Sequence, residues 1–222
     1  MDDLSQTEAA LGLGFVRHLS AIDSDIKSAK VNALWQDIAT RYNEATRAYH
    51  TLSHLQQLFA QFEQVKHKLY EPHIIALALY YHDVIYNPTS TNNERKSAEY
   101  AVEALSHYLS VEQCQYISTL IMMTANHQLD ELANPNKSSD AAYLLDMDLS
   151  ILGASWPEYE QYAKAVRQEY SHVSLTDYCT GRMAVLNGLL AHPKLYLTNY
   201  YYERLEMQAR DNIKRELTLL AA

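Results

Sequence analysis

Ala76-Leu77-Ala78-Leu79-Tyr80-Tyr81-His82-Asp83 is an apolar run that stops on an imidazole and a carboxylate, and Asn87-Pro88 breaks the chain soon afterwards. With Ile74 and Ile75 ahead of it, the run has no polar face and reads as a central, buried helix. Such a helix, delivering His82 and Asp83 side by side at its C-terminal end, supplies half of a metal site. Imidazole and carboxylate together suit Zn, Mn, Fe or Ni, and carboxylate-rich variants suit Mg. The other half is to be found upstream and downstream. His54 lies 28 residues before His82, and Asp148 lies 65 residues after Asp83. A His-Asp dipeptide alone is an ordinary solvated helix end, so its companions decide between the two readings.

The 222 residues are most simply one domain, 1–222, long enough to bury a sizeable core. Only 5 Gly and 5 Pro punctuate long stretches of Ala, Leu, Gln and Glu, which predicts an all-α chain. Several of the 18 Tyr fall at helical spacing, as residues whose rings pack while their hydroxyls reach water or a partner. A net charge of −9 argues against binding to a nucleic-acid polymer, which needs a basic face. It does not exclude a small anion, because a bound metal reverses the local potential. No run approaches the roughly 20 apolar residues of a membrane span, so no membrane partner is expected. The start Met1-Asp2-Asp3 lacks the basic region of a signal peptide, and Cys114 and Cys179 stand apart. A cytoplasmic location is the expectation.

Taken in order, Leu11, Phe15, Leu19 and Ile22 predict a helix over 5–22, interrupted by Gly12 and Gly14, and Val31 to Tyr42 predict one over about 28–44. A third helix begins in Tyr49-His50-Thr51-Leu52-Ser53-His54. If it includes residue 50, His50 and His54 share one face. This HxxxH pair has Thr51 where a zincin needs its glutamate, so the metalloprotease reading fails at its catalytic base. Thr91-Asn92-Asn93-Glu94 resembles a capping box, which makes Glu94 a cap or, just beyond the His-Asp pair, a residue of the site. His127 ends the apolar stretch that Ser110 starts, and Leu129 to Ser139 reads as a loop. In Leu144-Leu145-Asp146-Met147-Asp148-Leu149 two carboxylates sit inside an apolar run and need partners or a metal. On a helix they point about 200° apart, so only one can face a site directly. Ser155 and Ser174 cap further helices, a last helix starts near 199, and Arg167, Arg182 and Arg210 read as ion-paired braces or anion contacts, bracing being the favoured reading.

His54, His82-Asp83 and Asp148 together resemble the HD superfamily of metal-dependent phosphohydrolases, whose pattern is a His, a His-Asp pair and a distant Asp. Tyr49-His50 followed by His54 is similar to the YHNxxH segment of cyclic-nucleotide phosphodiesterases, and Asp148-Leu149-Ser150 to their ADLS-like segment, with Thr51 replacing the Asn and Met147 the Ala. YHxxxH, HDxxY, NExxSA, TxxH, LDxDLSILG, the Arg167–Tyr170 segment, GRxxVL and ARxN resemble, in order, a bacterial group of HD phosphohydrolases of about this length. The resemblance implies an all-α HD-domain bundle with the metal between its helices. It implies His54, His82, Asp83 and Asp148 as ligands of a divalent ion (Mn, Fe, Zn, Ni or Mg), leaving Asp146 to a supporting contact.

The implied activity is hydrolysis of a small phosphoester or nucleotide by a metal-activated water. Asp83 orients that water, and His50 protonates the departing oxygen. His127 contacts phosphate or holds a second metal, and Glu94 is assigned to the same substrate or second-metal role. Two alternatives differ in class: a di-iron oxygenase completed by His127, and a non-catalytic HD domain that binds a nucleotide or a partner. Homo-oligomer formation is left open.

Overall fold

Helical periodicity is realised along almost the whole chain. The computed structural model describes residues 2–129 and 132–221, and among them there are ten α-helices and no strand. They are α1 (Asp2–Ile22), α2 (Ser28–Tyr42), α3 (Leu52–Val65), α4 (Pro72–Tyr81), α5 (Asn93–Leu105), α6 (Val111–Met123), α7 (Pro135–Asp148), α8 (Trp156–Glu169), α9 (Leu175–Ala191) and α10 (Asn199–Leu220). The protein is all-α, and among the described residues no helix is long and apolar enough to cross a membrane. It divides into two compact units, Met1–Leu144 and Leu145–Ala222, the division falling inside α7.

In the first unit α4 is the hub. Ile74 to Tyr81 are all buried, because α1, α3, α5 and α6 each pack against this helix. Burying each large apolar side chain contributes about 1.5–3 kcal/mol, which explains why α4 carries no polar face. Pro72 stands in its first turn, where the missing N–H costs nothing. Just ahead of it the N–H groups of Tyr70 and Glu71 donate to the two oxygens of Asp140, at 2.9 and 2.7 Å. Thus the buried Asp140 holds the entry to α4.

Gly12 and Gly14, expected to interrupt α1, instead lie inside it and set its approach to its neighbours. A Cβ at Gly12 would come 2.6 Å from Trp35 Nε1, and one at Gly14 2.7 Å from the Tyr80 hydroxyl. That hydroxyl is not free to yield. It donates to the Leu11 carbonyl at 2.7 Å, and the ring is wedged edge-on against Phe15 and Trp35.

Below this contact, His18 of α1 and His73 of α4 face each other, Nδ1 to Nδ1, at 3.0 Å. His18 is buried against Phe59 and Phe62 of α3. Burial lowers its pKa from 6.5 to about 4; His73, Arg17 and Lys66 act in the same direction, and Glu63 opposes them.

The second unit is built on the 3-10 turn Leu149–Gly153, against which α8 and α10 pack. The Asn212 side-chain amide donates to the carbonyls of Leu152 and Ala154, at 2.8 and 2.9 Å. Arg182 and Arg210 are ion-paired braces, as expected, and Arg167 braces through backbone carbonyls. Arg182 pairs with Glu216 at 2.8 Å, Arg210 pairs with Glu206 at 2.6 Å, and Arg167 donates to the carbonyls of Tyr170 and Val173. Ser110, Ser155 and Ser174 all cap as their motifs predict.

Three expectations shift. Asn92 precedes α5 without a side-chain cap, so the Thr91–Glu94 box is not formed. Asn93 is instead committed to the preceding loop, donating to the Asn87 carbonyl at 3.0 Å. Helix α7 starts at Pro135, inside the segment read as a loop, because Pro fits a first helical turn. Asp130 and Glu131 of that loop lie outside the described residues. Finally, α6 stops at Met123, ahead of His127.

Two predictions follow from this packing. Ala is favoured over Gly in a helix by about 1 kcal/mol, yet Gly14→Ala should lower the melting temperature, because the added methyl meets the pinned Tyr80 hydroxyl; a rise in thermal unfolding would refute that packing. The folded chain binds fewer protons than the unfolded one between about pH 6.5 and about 4, through His18. Stability from this group is therefore complete above that window and is lost as the pH falls through it. Thermal unfolding of His18→Phe across the same range should show a shallower pH dependence than the parent.

Candidate metal centre

Three short segments of the first unit build the centre. Thr51 is extended and its Oγ1 accepts the N–H of Ser53 at 3.3 Å, so α3 begins at Leu52 and not at residue 50. A threonine is a favourable N-cap, which is the local reason for that boundary. His54 then stands in the first turn of α3, while His50 stands in the irregular segment before it. The two are not partners one helical turn apart. Their rings lie 5.8 Å apart at 72°.

At the other side α4 ends at Tyr81, and the N–H of Val84 donates to the Tyr81 carbonyl at 3.2 Å. This tight turn carries His82 and Asp83. Successive residues on a regular helix point about 100° apart, but here His82 Nε2 and Asp83 Oδ2 come within 3.0 Å of each other. His54 Nε2 lies 3.3 Å from His82 Nε2 and 3.8 Å from Asp83 Oδ2. His50 Nε2 approaches the same oxygen at 3.9 Å.

The tautomer of His82 makes this a donor set that could hold a cation. His82 Nδ1 lies 2.9 Å from the Leu79 carbonyl, which can only accept, so Nδ1 carries the hydrogen. The neutral ring then turns a bare Nε2 lone pair toward a carboxylate oxygen and a second imidazole nitrogen. Acceptors packed this closely repel unless a proton or a metal lies among them. Ligands about 2.0–2.1 Å from one ion sit about 2.9–3.4 Å apart in tetrahedral or octahedral arrangements, close to the two shorter separations here. The His-His-Asp group can therefore hold a metal ion. His54 and His82 are 3% and 2% exposed, whereas the side chains of His50 and Asp83 are 20% and 15% exposed. The centre is closed behind its two inner imidazoles and open to solvent at Asp83 and His50.

Its support comes largely from Arg47, which sequence reasoning missed. The buried guanidinium donates to the carbonyls of His50 at 3.1 Å, Asp83 at 2.7 Å and Val84 at 3.0 Å. It thereby ties the segment before α3 to the turn after α4. Only its position three residues before His50 hinted at this. The loop beyond Asp83 is held by α5. Ser97 Oγ accepts from the Ile85 N–H and donates to the Ile85 carbonyl, and Asn93 bridges the N–H and carbonyl of Asn87. The Asn and Ser of the NExxSA motif are thus loop anchors.

The remaining predicted residues are placed as follows. Glu94 is half-buried in the first turn of α5, where its charge favours the helix N-terminus. His127 is half-buried beyond α6, with φ at 51°, and its N–H donates to the Met123 carbonyl at 2.9 Å. It closes the helix in the left-handed conformation more usual for glycine.

In the second unit, Asp148 is the last residue of α7 and half-buried. Asp146 is buried and fully engaged. One oxygen accepts the N–H of Leu197 at 2.7 Å, and the other accepts the N–H and hydroxyl of Thr198 at 2.8 and 2.6 Å. Burial raises its pKa to about 6 against the pull of these bonds. Asp146 braces the start of α10. A scan against known family models and a search of the curated proteins both return no match to this chain.

Arg47→Met keeps the length of the side chain but leaves three carbonyls without their donor. At about 1–3 kcal/mol for a buried unsatisfied group, urea unfolding should show a loss of at least ~3 kcal/mol, with Arg47→Lys recovering part of it. A loss under ~1 kcal/mol would mean that the two segments hold together without this clamp.

Proposed function

We propose that the chain is a metal-dependent phosphohydrolase of the HD type acting on a small phosphoester or nucleotide. The observation that carries this reading is the convergence of His54 Nε2, His82 Nε2 and Asp83 Oδ2, a donor set that could hold a cation, beside an imidazole open to solvent. His54, His82 and Asp83 would hold the ion, and the sequence pattern adds Asp148 as a fourth ligand. A divalent ion bound there would supply a water of lowered pKa and a Lewis acid for a phosphoryl oxygen.

The chain's own residues supply the rest. Asp83 orients the attacking water. The water's oxygen forms a bond to phosphorus as the bond from phosphorus to the leaving oxygen breaks, with the electron pair staying on that oxygen. His50 Nε2–H hands its proton to the leaving oxygen, while the proton lost by the water passes to solvent. The net charge of −9 favours a small anion drawn to the metal over a polyanion. His127 and Glu94 remain candidates for contacts with substrate or a second ion.

The test is metal analysis of protein purified without chelator, followed by a phosphoester panel with the metal found. Metal with no turnover of any phosphoester, together with the spectrum of a mixed-valence iron pair, would favour oxygenase chemistry instead. Within the proposal, His82→Ala and Asp83→Ala should lose the metal while circular dichroism keeps its helical signal. His50→Asn should keep the metal and lose about 10²–10⁴ in rate, with the smallest loss on nitrophenyl esters, which need little protonation. His54→Asn should lose metal and rate together. If His50→Asn emptied the site and His54→Asn filled it, the two roles would be exchanged.

A further inference from the structure

His50 stands on an irregular segment, so no helix restrains its side chain. Its Nε2 lies 3.9 Å from Asp83 Oδ2, beyond hydrogen-bond length, and that pair alone does not orient the ring. Two tyrosines meet the imidazole closely. Tyr86 stacks on it with centroids 4.1 Å apart and planes 28° apart, and Tyr49 meets it edge-on at 4.9 Å and 83°.

Of these, Tyr86 has the more rigid mounting. Its neighbours in the chain, Ile85 and Asn87, are the residues whose backbone groups Ser97 and Asn93 bind. The Arg47 guanidinium lies over its ring at 5.6 Å while donating to the His50 carbonyl at 3.1 Å. One buried cation therefore touches the backbone of His50 and the ring stacked on its side chain.

We infer that Tyr86 is a positioning residue that fixes the imidazole plane of His50, and so the direction in which its Nε2–H is delivered to the leaving oxygen. The inference rests on the phosphohydrolase reading for its chemistry but not for its geometry. A stack of this kind blocks rotation of the imidazole about the Cβ–Cγ bond. It accounts for the tyrosine of HDxxY, which the ligand set does not use. An aromatic ring also fixes the plane at little entropic cost, since tyrosine has only two side-chain torsions.

The test compares Tyr86→Leu, Tyr86→Phe and His50→Asn in the full-length, metal-loaded protein, on phosphate monoesters spanning poor to good leaving groups. A displacement of about 1 Å in a reacting group costs roughly 10² in rate. Tyr86→Leu should therefore lose about 10² on alkyl phosphates, lose little on nitrophenyl phosphate, and keep its metal. Tyr86→Phe, which keeps the ring, should recover most of the alkyl phosphate rate. A loss uniform across leaving groups, or one accompanied by loss of metal, would overturn the inference while His50→Asn still reports on the acid itself.

If His50→Asn shows no leaving-group dependence, the acid role fails. The positioning is then read from a crystal structure of Tyr86→Leu. An imidazole turned away from Asp83 supports it, and an unmoved one overturns it.

Discussion

The first unit depends on one constraint: α4 is enclosed by α1, α3, α5 and α6, so every residue from Ile74 to Tyr81 is buried and none carries a charge. A helix buried on all sides can present polar groups only where it stops. That is where His82 and Asp83 occur. Because the stop lies among packed elements, His82 is buried while Asp83 stays at the open edge, and together with His54 they could hold a cation. The centre is a consequence of how the hub ends. Gly14 of α1 serves the same hub, since it lets that helix come close enough to cover Tyr80, while Gly12 admits Trp35 of α2.

Buried carboxylates elsewhere in the chain do a different job. Asp140 receives the N–H groups of Tyr70 and Glu71 ahead of α4, Asp146 those of Leu197 and Thr198 ahead of α10, and Glu206 those of Leu195 and Tyr196. Backbone N–H groups at or ahead of a helix N-terminus have no helical partner, so an internal acid offers them two acceptors at once. Asp83 differs because three imidazole nitrogens, those of His82, His54 and His50, lie 3.0, 3.8 and 3.9 Å from its Oδ2. That contrast separates a brace from a candidate ligand.

Around the centre, rigidity is supplied by groups that do not face it. Arg47 binds three carbonyls on two segments, Ser97 and Asn93 secure the loop that follows, and Tyr86 rises from that loop onto His50. The exposed edge of the site is thus built from irregular backbone, which positions His50 and Asp83 only because these contacts remove its freedom. The inner edge, His54 and His82, is held by helix ends and burial.

Sequence alone determined the all-α class, the buried run 74–81 and most helix starts, because those depend on local periodicity, on capping by Ser110, Ser155 and Ser174, and on the scarcity of Gly and Pro. It also singled out His54, His82, Asp83 and Asp148 as candidates, since the His-Asp pair that ends so apolar a helix has an imidazole upstream and a carboxylate downstream. The bracing arginines were legible from their helical setting. Only tertiary structure decided which groups share atoms. It showed that His50 lies outside α3, that Asp146 is consumed by the start of α10, and that Asn93 serves a loop in place of a cap. It also revealed Arg47 and Tyr86 as the mounting of the open edge. These assignments rest on contacts between segments far apart in the chain or across a loop, and spacing carries no record of which lone pair meets which donor.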